Sequence, residues 1–227
     1  MNVNTILSES TNVTTAIMRY RRVPDETIRR LPSHLRGLLL LLDQGHKSIS
    51  SGQLADFVGV NPSLIRKDFS YFGGFGTRGV GYDIDDLVKQ IKKILKINVM
   101  HRVALVGVGN LGSAVLAYPG FGVYGFEIAA AFDINPQKIG RRVHNVVIED
   151  VSELVSLKKR GIDIAIVAIP RDAAQQTADD LVKAGVRGIL NFSPCHITVP
   201  RKLKVITIDI AMDFARLPYY MPRQAGA

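Results

Sequence analysis

Gly107-Val108-Gly109-Asn110-Leu111-Gly112 spells G-x-G-x-x-G, and its flanks decide the fold. Ahead of it runs a short strand-like segment, 102–106; behind it Ala114, Val115 and Leu116 open a helix. A second strand-like segment, 127–132, ends in Asp133, 21 residues after Gly112. Strand, glycine turn, helix, strand and closing acid make up the dinucleotide-binding fingerprint. Gly107 makes the turn, Gly109 lets a pyrophosphate approach the backbone, and Gly112 lets helix and strand pack closely. The N–H groups of the loop and helix start, from Val108 through Asn110 and Leu111, face the phosphates with partial positive charge. Asp133 can accept hydrogen bonds from ribose hydroxyls and would repel a 2′-phosphate. NAD(H) is therefore expected over NADP(H), a preference that Arg141 and Arg142 weaken slightly. The alternatives are glycines that merely turn the chain, or a different nucleotide such as coenzyme A.

Further on, apolar runs recur at 146–148, 164–169, 188–192 and 205–210. Near-continuous apolar runs suit parallel strands covered on both faces. A polar helical stretch at 172–184 alternates with them, giving the rhythm of a doubly wound α/β fold. Ile169-Pro170 closes the fourth strand and should border the cofactor. Residues 211–220 read as one helix with large apolar groups.

The part before residue 98 has another texture. A helix entered near Val23-Pro24-Asp25 is broken by Pro32, and Ser33 can cap the next, whose face is Leu35, Leu38, Leu39 and Leu42. Ser50 and Gln53 match a capping box. The short helix after it should bury Leu54, Phe57 and Val58, with Gly59 as its exit. Asn61-Pro62 restarts a helix at once as cap and first residue, with Leu64, Ile65 and Phe69 as its apolar face. Two short helices about a tight turn form a helix-turn-helix. The glycine-rich stretch 71–79 that follows reads as a hairpin wing. Residues 83–95 form an amphipathic helix, and the domain boundary falls at 97–101. The chain thus divides into a flexible tail (1–22), a DNA-binding domain with linker helix (23–97), a Rossmann domain (98–210) and a C-terminal helix and tail (211–227).

Composition limits the alternatives. At 47% hydrophobic the chain can fill a core, yet its apolar runs, such as 38–42 and 164–169, are far too short for a membrane span. The first twenty residues lack the apolar centre of a signal peptide, and one cysteine permits no internal disulfide. A cytoplasmic protein is expected. The net charge of +9 does not single out the N-terminal part, where 10 Lys+Arg oppose 8 Asp+Glu within residues 1–85. The candidate catalytic groups are His144, His196, Lys183, Cys195 and Asp209, but no motif links them and no substrate domain is expected after residue 210. A small NAD-dependent dehydrogenase with a helical cap is thus the weaker reading; no enzyme activity and no metal are expected.

Helix-turn-helix, wing, linker helix and Rossmann fingerprint, in that order, resemble the Rex family of redox-sensing repressors. The resemblance covers nearly all of residues 23–220. It is carried by Ile65-Arg66-Lys67-Asp68-Phe69-Ser70-Tyr71-Phe72-Gly73, by 76–82, by Tyr118-Pro119-Gly120-Phe121 and by 188–194. It implies a homodimer that exchanges its C-terminal helix, and palindromic double-stranded operators bound with NAD+ or without cofactor and released by NADH. Ser63, Arg66, Lys67, Ser70 and Tyr71 would contact DNA from the recognition helix, and Phe75, Gly76 and Arg78 from the wing. Arg36, Tyr118 and Asp209 match a switch network that crosses domain and subunit borders, Asp209 coming from the partner subunit. Ile210 stands where some relatives carry an aromatic residue near the nicotinamide.

Overall fold

The computed structural model describes residues 23–73, 75–76 and 81–221. The chain separates into two compact units, Met1–Asn98 and Val99–Ala227. The expected tail, residues 1–22, lies outside the described residues, as do residues 74 and 77–79 of the expected wing.

In the first unit α1 runs from Asp25 to Asp43 without interruption, with Pro32 inside it. The expected break at Pro32 is therefore a correction. A proline there gives up one helical hydrogen bond and costs roughly 3 kcal/mol. Leu31, Leu35 and Leu38 on the same helix are fully buried, each stabilising by roughly 1.5–3 kcal/mol, so tertiary packing wins. The short strand β1 (Ser48–Ile49) leads into α2 (Ser51–Val58) and α3 (Pro62–Ser70). Ser50 Oγ accepts the Gln53 N–H while the Gln53 side chain accepts the Ser50 N–H, so the capping box is formed. Gly59 ends α2 in the left-handed region at φ 72°, and Asn61 caps α3 with Pro62 first. Leu54 and Ala55 fill the core. Phe57 does not: it is 44% exposed and lines a shallow cleft with Gly37, Leu40 and Val58. A Cβ on Gly37 would press on Val58 and Phe57, so the bare glycine lets these side chains lie close on α1. β2 (Tyr82–Asp83) pairs antiparallel with β1. It leads into α4 (Ile84–Ile94), whose Ile84, Leu87, Val88 and Ile91 are buried.

The second unit is a seven-stranded sheet. Its strands are β3 (His101–Val106), β4 (Phe126–Asp133), β5 (Arg142–Val143), β6 (Val146–Asp150), β7 (Ile164–Val167), β8 (Gly188–Asn191) and β9 (Lys204–Thr207). The order β5-β6-β4-β3-β7-β8-β9 is parallel except for the edge strand β5. Without β5 this is the doubly wound order 3-2-1-4-5-6, which reverses between β3 and β7. α5 (Asn110–Ala117) follows β3, and α6 (Arg171–Lys183) follows β7. The crossover from β4 to β6 carries turns and β5 in place of a helix. β9 stops at Thr207 because Asp209 caps a new helix there.

Two corrections follow. The expected single C-terminal helix is two short ones, α7 (Ile210–Phe214) and α8 (Leu217–Tyr220). Pro218 has no N–H to offer the Phe214 carbonyl and stands in the first turn of α8, where no N–H is needed; these residues are exposed, so no core packing offsets the break as it does at Pro32. Nor is the sheet covered on both faces throughout. Val103, Ile164, Ile166, Leu190 and Ile206 line an open apolar cleft of about 310 Å³. The other face is packed by Ala174, Ala178 and Leu181 of α6 and by Ile197 and Leu203.

Candidate functional site

The glycine loop sits at the carboxyl ends of β3 and β7, where the sheet order reverses and open α/β sheets place their ligands. Gly107 takes φ +94°, and a side chain there would collide with the Ala168 carbonyl and the Ile169 side chain. Ile169 is thus brought against the loop, while Pro170 caps α6 beside it; Ser193 Oγ donates to the Ile169 carbonyl at 2.7 Å. Gly112 is buried, and a Cβ on it would strike the Gly107 carbonyl, so α5 lies directly on the turn. At Gly109 a Cβ would meet nothing within 4 Å. That open space faces the start of α5, where Asn110 and Leu111 are exposed. The residues present therefore fit a phosphate group held by backbone N–H groups.

Asp133 is 7% exposed and braces this loop. Its Oδ2 accepts the Val108 N–H at 2.9 Å and Lys138 Nζ at 3.2 Å, and its Oδ1 accepts the Asn135 N–H at 2.8 Å. Lys138 Nζ also donates to the Val108 carbonyl at 2.9 Å. Burial alone would raise the carboxyl, but the N–H groups of Asn135 and Val108 and the Lys138 ammonium hold it below the ordinary range. A carboxylate offers about four lone-pair directions; these donors engage three of them. Lys138 was not singled out in the sequence. Its only signal is the Asn-Pro turn after Asp133, where Asn135 Oδ1 accepts the Gln137 N–H at 2.9 Å and brings the chain back.

In the first unit, α3 exposes Ser63, Arg66, Lys67 and Ser70. Arg66 Nη1 donates to Ser51 Oγ at 2.9 Å, so its guanidinium rests at the start of α2. Ser63 Oγ donates to Asn61 Oδ1 at 2.8 Å, and Ser70 Oγ to the Lys67 carbonyl at 2.7 Å. Tyr71 is half-buried at the end of α3. Phe75 packs its ring on Phe69 at 5.2 Å, with Tyr82 edge-on to Phe69 at 5.4 Å; it anchors the turn. Gly76 lies against the Gly81 backbone and the Tyr82 ring. Arg78 lies outside the described residues.

Of the three switch candidates, Arg36 lies in the first unit and Tyr118 and Asp209 in the second. Arg36 is exposed on α1 in the cleft lined by Leu40 and Phe57. Tyr118 follows α5, 56% exposed, its ring edge-on to Phe121 at 5.2 Å. Asp209 caps α7, accepting the Ala211 N–H at 3.1 Å and the Met212 N–H at 3.3 Å. Among the described residues no group of three His, Cys, Asp or Glu could hold a metal ion, and no helix is long and apolar enough to cross a membrane.

Two family profiles match: the CoA binding domain over residues 98–195, and a putative DNA-binding protein N-terminus over residues 22–70. The Rex repressor of Syntrophobacter fumaroxidans is 44% identical over 206 residues, covering 90% of this chain and 98% of that protein. The Rex repressor of Lactobacillus gasseri is 42% identical over 201 residues, covering 88% and 94%. Among solved structures, RSP in complex with NAD+ and operator DNA superposes with a TM-score of 0.82 at 38% identity, covering 87% of this chain and 92% of that one. RSP in complex with NADH gives 0.80 at 36%, covering 88% and 94%. The curated relatives are named as repressors and not as enzymes. With this identity over nearly the whole length, the chain belongs to the Rex family of redox-sensing transcriptional repressors.

Proposed function

We propose that this protein is a cytoplasmic, homodimeric repressor that binds palindromic operators with NAD+ or without cofactor and leaves them when NADH binds. One juxtaposition in the chain carries the reading. An open glycine loop stands at the switch point of the sheet, and a separate helix-turn-helix exposes Arg66 and Lys67 on its second helix. The loop residues Gly107 to Gly112, with Ile169 and Pro170 beside them, would hold the dinucleotide, and Asp133 its ribose. Oxidised and reduced NAD(H) differ in charge and ring shape at the nicotinamide, and that difference is the signal. An Arg at position 66 can grip a guanine edge through two hydrogen bonds, while Lys67, Ser63, Ser70 and Tyr71 suit phosphates. Gly76 and Arg78 would contact DNA beside the recognition helix, and Phe75 supports Gly76 from the aromatic cluster.

Dimerisation is supported by the exposed apolar groups of the last two helices. Ile210, Met212, Phe214, Leu217, Tyr219 and Tyr220 are all more than half exposed in the single chain, and the same unit carries an uncovered apolar sheet face. Exposed apolar area of this kind marks a contact surface. Arg36, Tyr118 and Asp209 would then form the network that favours one arrangement of the dimer, and a ligand shifts that balance only by its differential affinity. The reading is tested by selecting from a random duplex pool at fixed salt, with NAD+, NADH or coenzyme A present. Enrichment of a palindrome with NAD+, lost with NADH and untouched by coenzyme A, is expected. No enrichment in any arm would overturn it.

A further inference from the structure

Arg66 and Lys67 can read DNA only if α3 is held at a fixed angle, and the residue after them supplies a hold. The Asp68 side chain is fully buried. Its Oδ1 accepts Thr27 Oγ1 at 3.0 Å and Arg30 Nη2 at 2.6 Å. Its Oδ2 accepts Arg30 Nε at 2.7 Å and, with the proton on that nitrogen, His34 Nε2 at 3.1 Å. All three partners stand on one face of α1, at a spacing of three and four residues. The four lone-pair directions of the carboxylate are thus filled, two by a bidentate arginine. His34 is 1% exposed, its Nδ1 has no hydrogen-bond partner, and its ring lies edge-on to Phe69 at 5.7 Å. Burial alone would raise the Asp68 carboxyl, yet the bonds from Arg30, His34 and Thr27 hold it below the ordinary range, so it stays charged.

A buried ion pair is a poor way to gain stability, since apolar groups of equal volume often serve as well. Its strength is directional: bidentate geometry fixes an orientation that leucines would leave loose. We propose that Asp68, held by Arg30, His34 and Thr27, is a positioning residue. It sets the angle at which α3 presents Arg66 and Lys67, so that operator selectivity depends on a side chain that does not touch DNA.

This rests on α3 being the recognition helix. The test uses the full-length protein and measures affinity for its selected operator and for random duplex at one salt concentration. For Asp68→Asn, operator affinity should fall at least ten-fold while random-duplex affinity stays within about two-fold, the phosphate contacts being less demanding of angle. Adding Arg30→Gln should recover much of the loss, because two neutral amides can bond without stranding a buried charge. Equal losses on both DNAs, or no loss, would overturn the proposal. Should Asp68→Asn fail to fold, Thr27→Val, which removes one of the four bonds, decides by the same ratio. If the unmodified protein shows no selectivity at all, the recognition-helix reading fails first and this proposal with it.

Discussion

Replacing Asp133 by Asn keeps the shape of the side chain and removes what the loop needs from it. The carboxylate accepts on both oxygens: Val108 N–H and Lys138 on one, Asn135 N–H on the other. An amide accepts on one oxygen only, so whichever way it turns, one backbone N–H faces an NH2 group. A stranded buried donor costs about 1–3 kcal/mol. The ion pair with Lys138, whose side chain is 35% exposed, contributes up to about 1 kcal/mol more. The sum, roughly 1–4 kcal/mol, lowers the melting temperature by on the order of 10 °C. Calorimetry of the cofactor-free protein reads this directly. NADH affinity, measured by titration, should weaken about ten-fold or more as the Val108-Gly109 peptide loses its anchor, a change of about 1.4 kcal/mol. An Asp133→Asn variant that melts within about 2 °C of the parent and binds NADH equally well would refute the brace.

Arg66→Ala should cost roughly 1–3 kcal/mol of operator affinity and relax the base preference at one position, whereas Lys67→Ala should weaken all sequences alike and reduce the salt slope by about one; binding isotherms at several salt concentrations separate them. Arg36→Ala should blunt NADH-driven release from DNA, seen as a smaller shift in operator Kd on adding NADH. Acid should weaken the first unit through His34. Burial lowers its pKa from 6.5, against the pull of the hydrogen bond to Asp68, and neighbouring Arg30 lowers it too. The unfolded chain therefore takes up the proton first, and stability falls as pH drops from about 6.5 towards the folded value. Asp68, with its carboxyl held low, adds a second loss only below about 3.8. Chemical denaturation between pH 7.5 and 5 should show the first loss, and His34→Gln should flatten it.

The legibility of the sequence followed the range of the interaction. Caps and turns act within a few residues, so Ser50, Gln53, Gly59 and Asn61 could be read where they stand. The fingerprint was legible because each glycine answers a backbone demand at Gly107 or a close approach at Gly112. Pro32 misled because local propensity marks a break, while the buried leucines around it decide the outcome across the core. Phe57 misled because an apolar residue at helical period reads as core whether or not a partner stands opposite. The partners of Asp68 were hidden for another reason. Thr27 lies 41 residues from Asp68 and Arg30 lies 38, and no spacing rule reaches across such a gap.

The central claim is that cofactor and operator bind to one coupled equilibrium, and linkage makes it testable in both directions. The most direct measurement is the Kd for NADH with and without saturating operator duplex, set beside the Kd for operator with and without saturating NADH. Operator should weaken NADH binding by the same factor by which NADH weakens operator binding, at least ten-fold, with NAD+ showing no such antagonism. An NADH Kd unmoved by operator would contradict it.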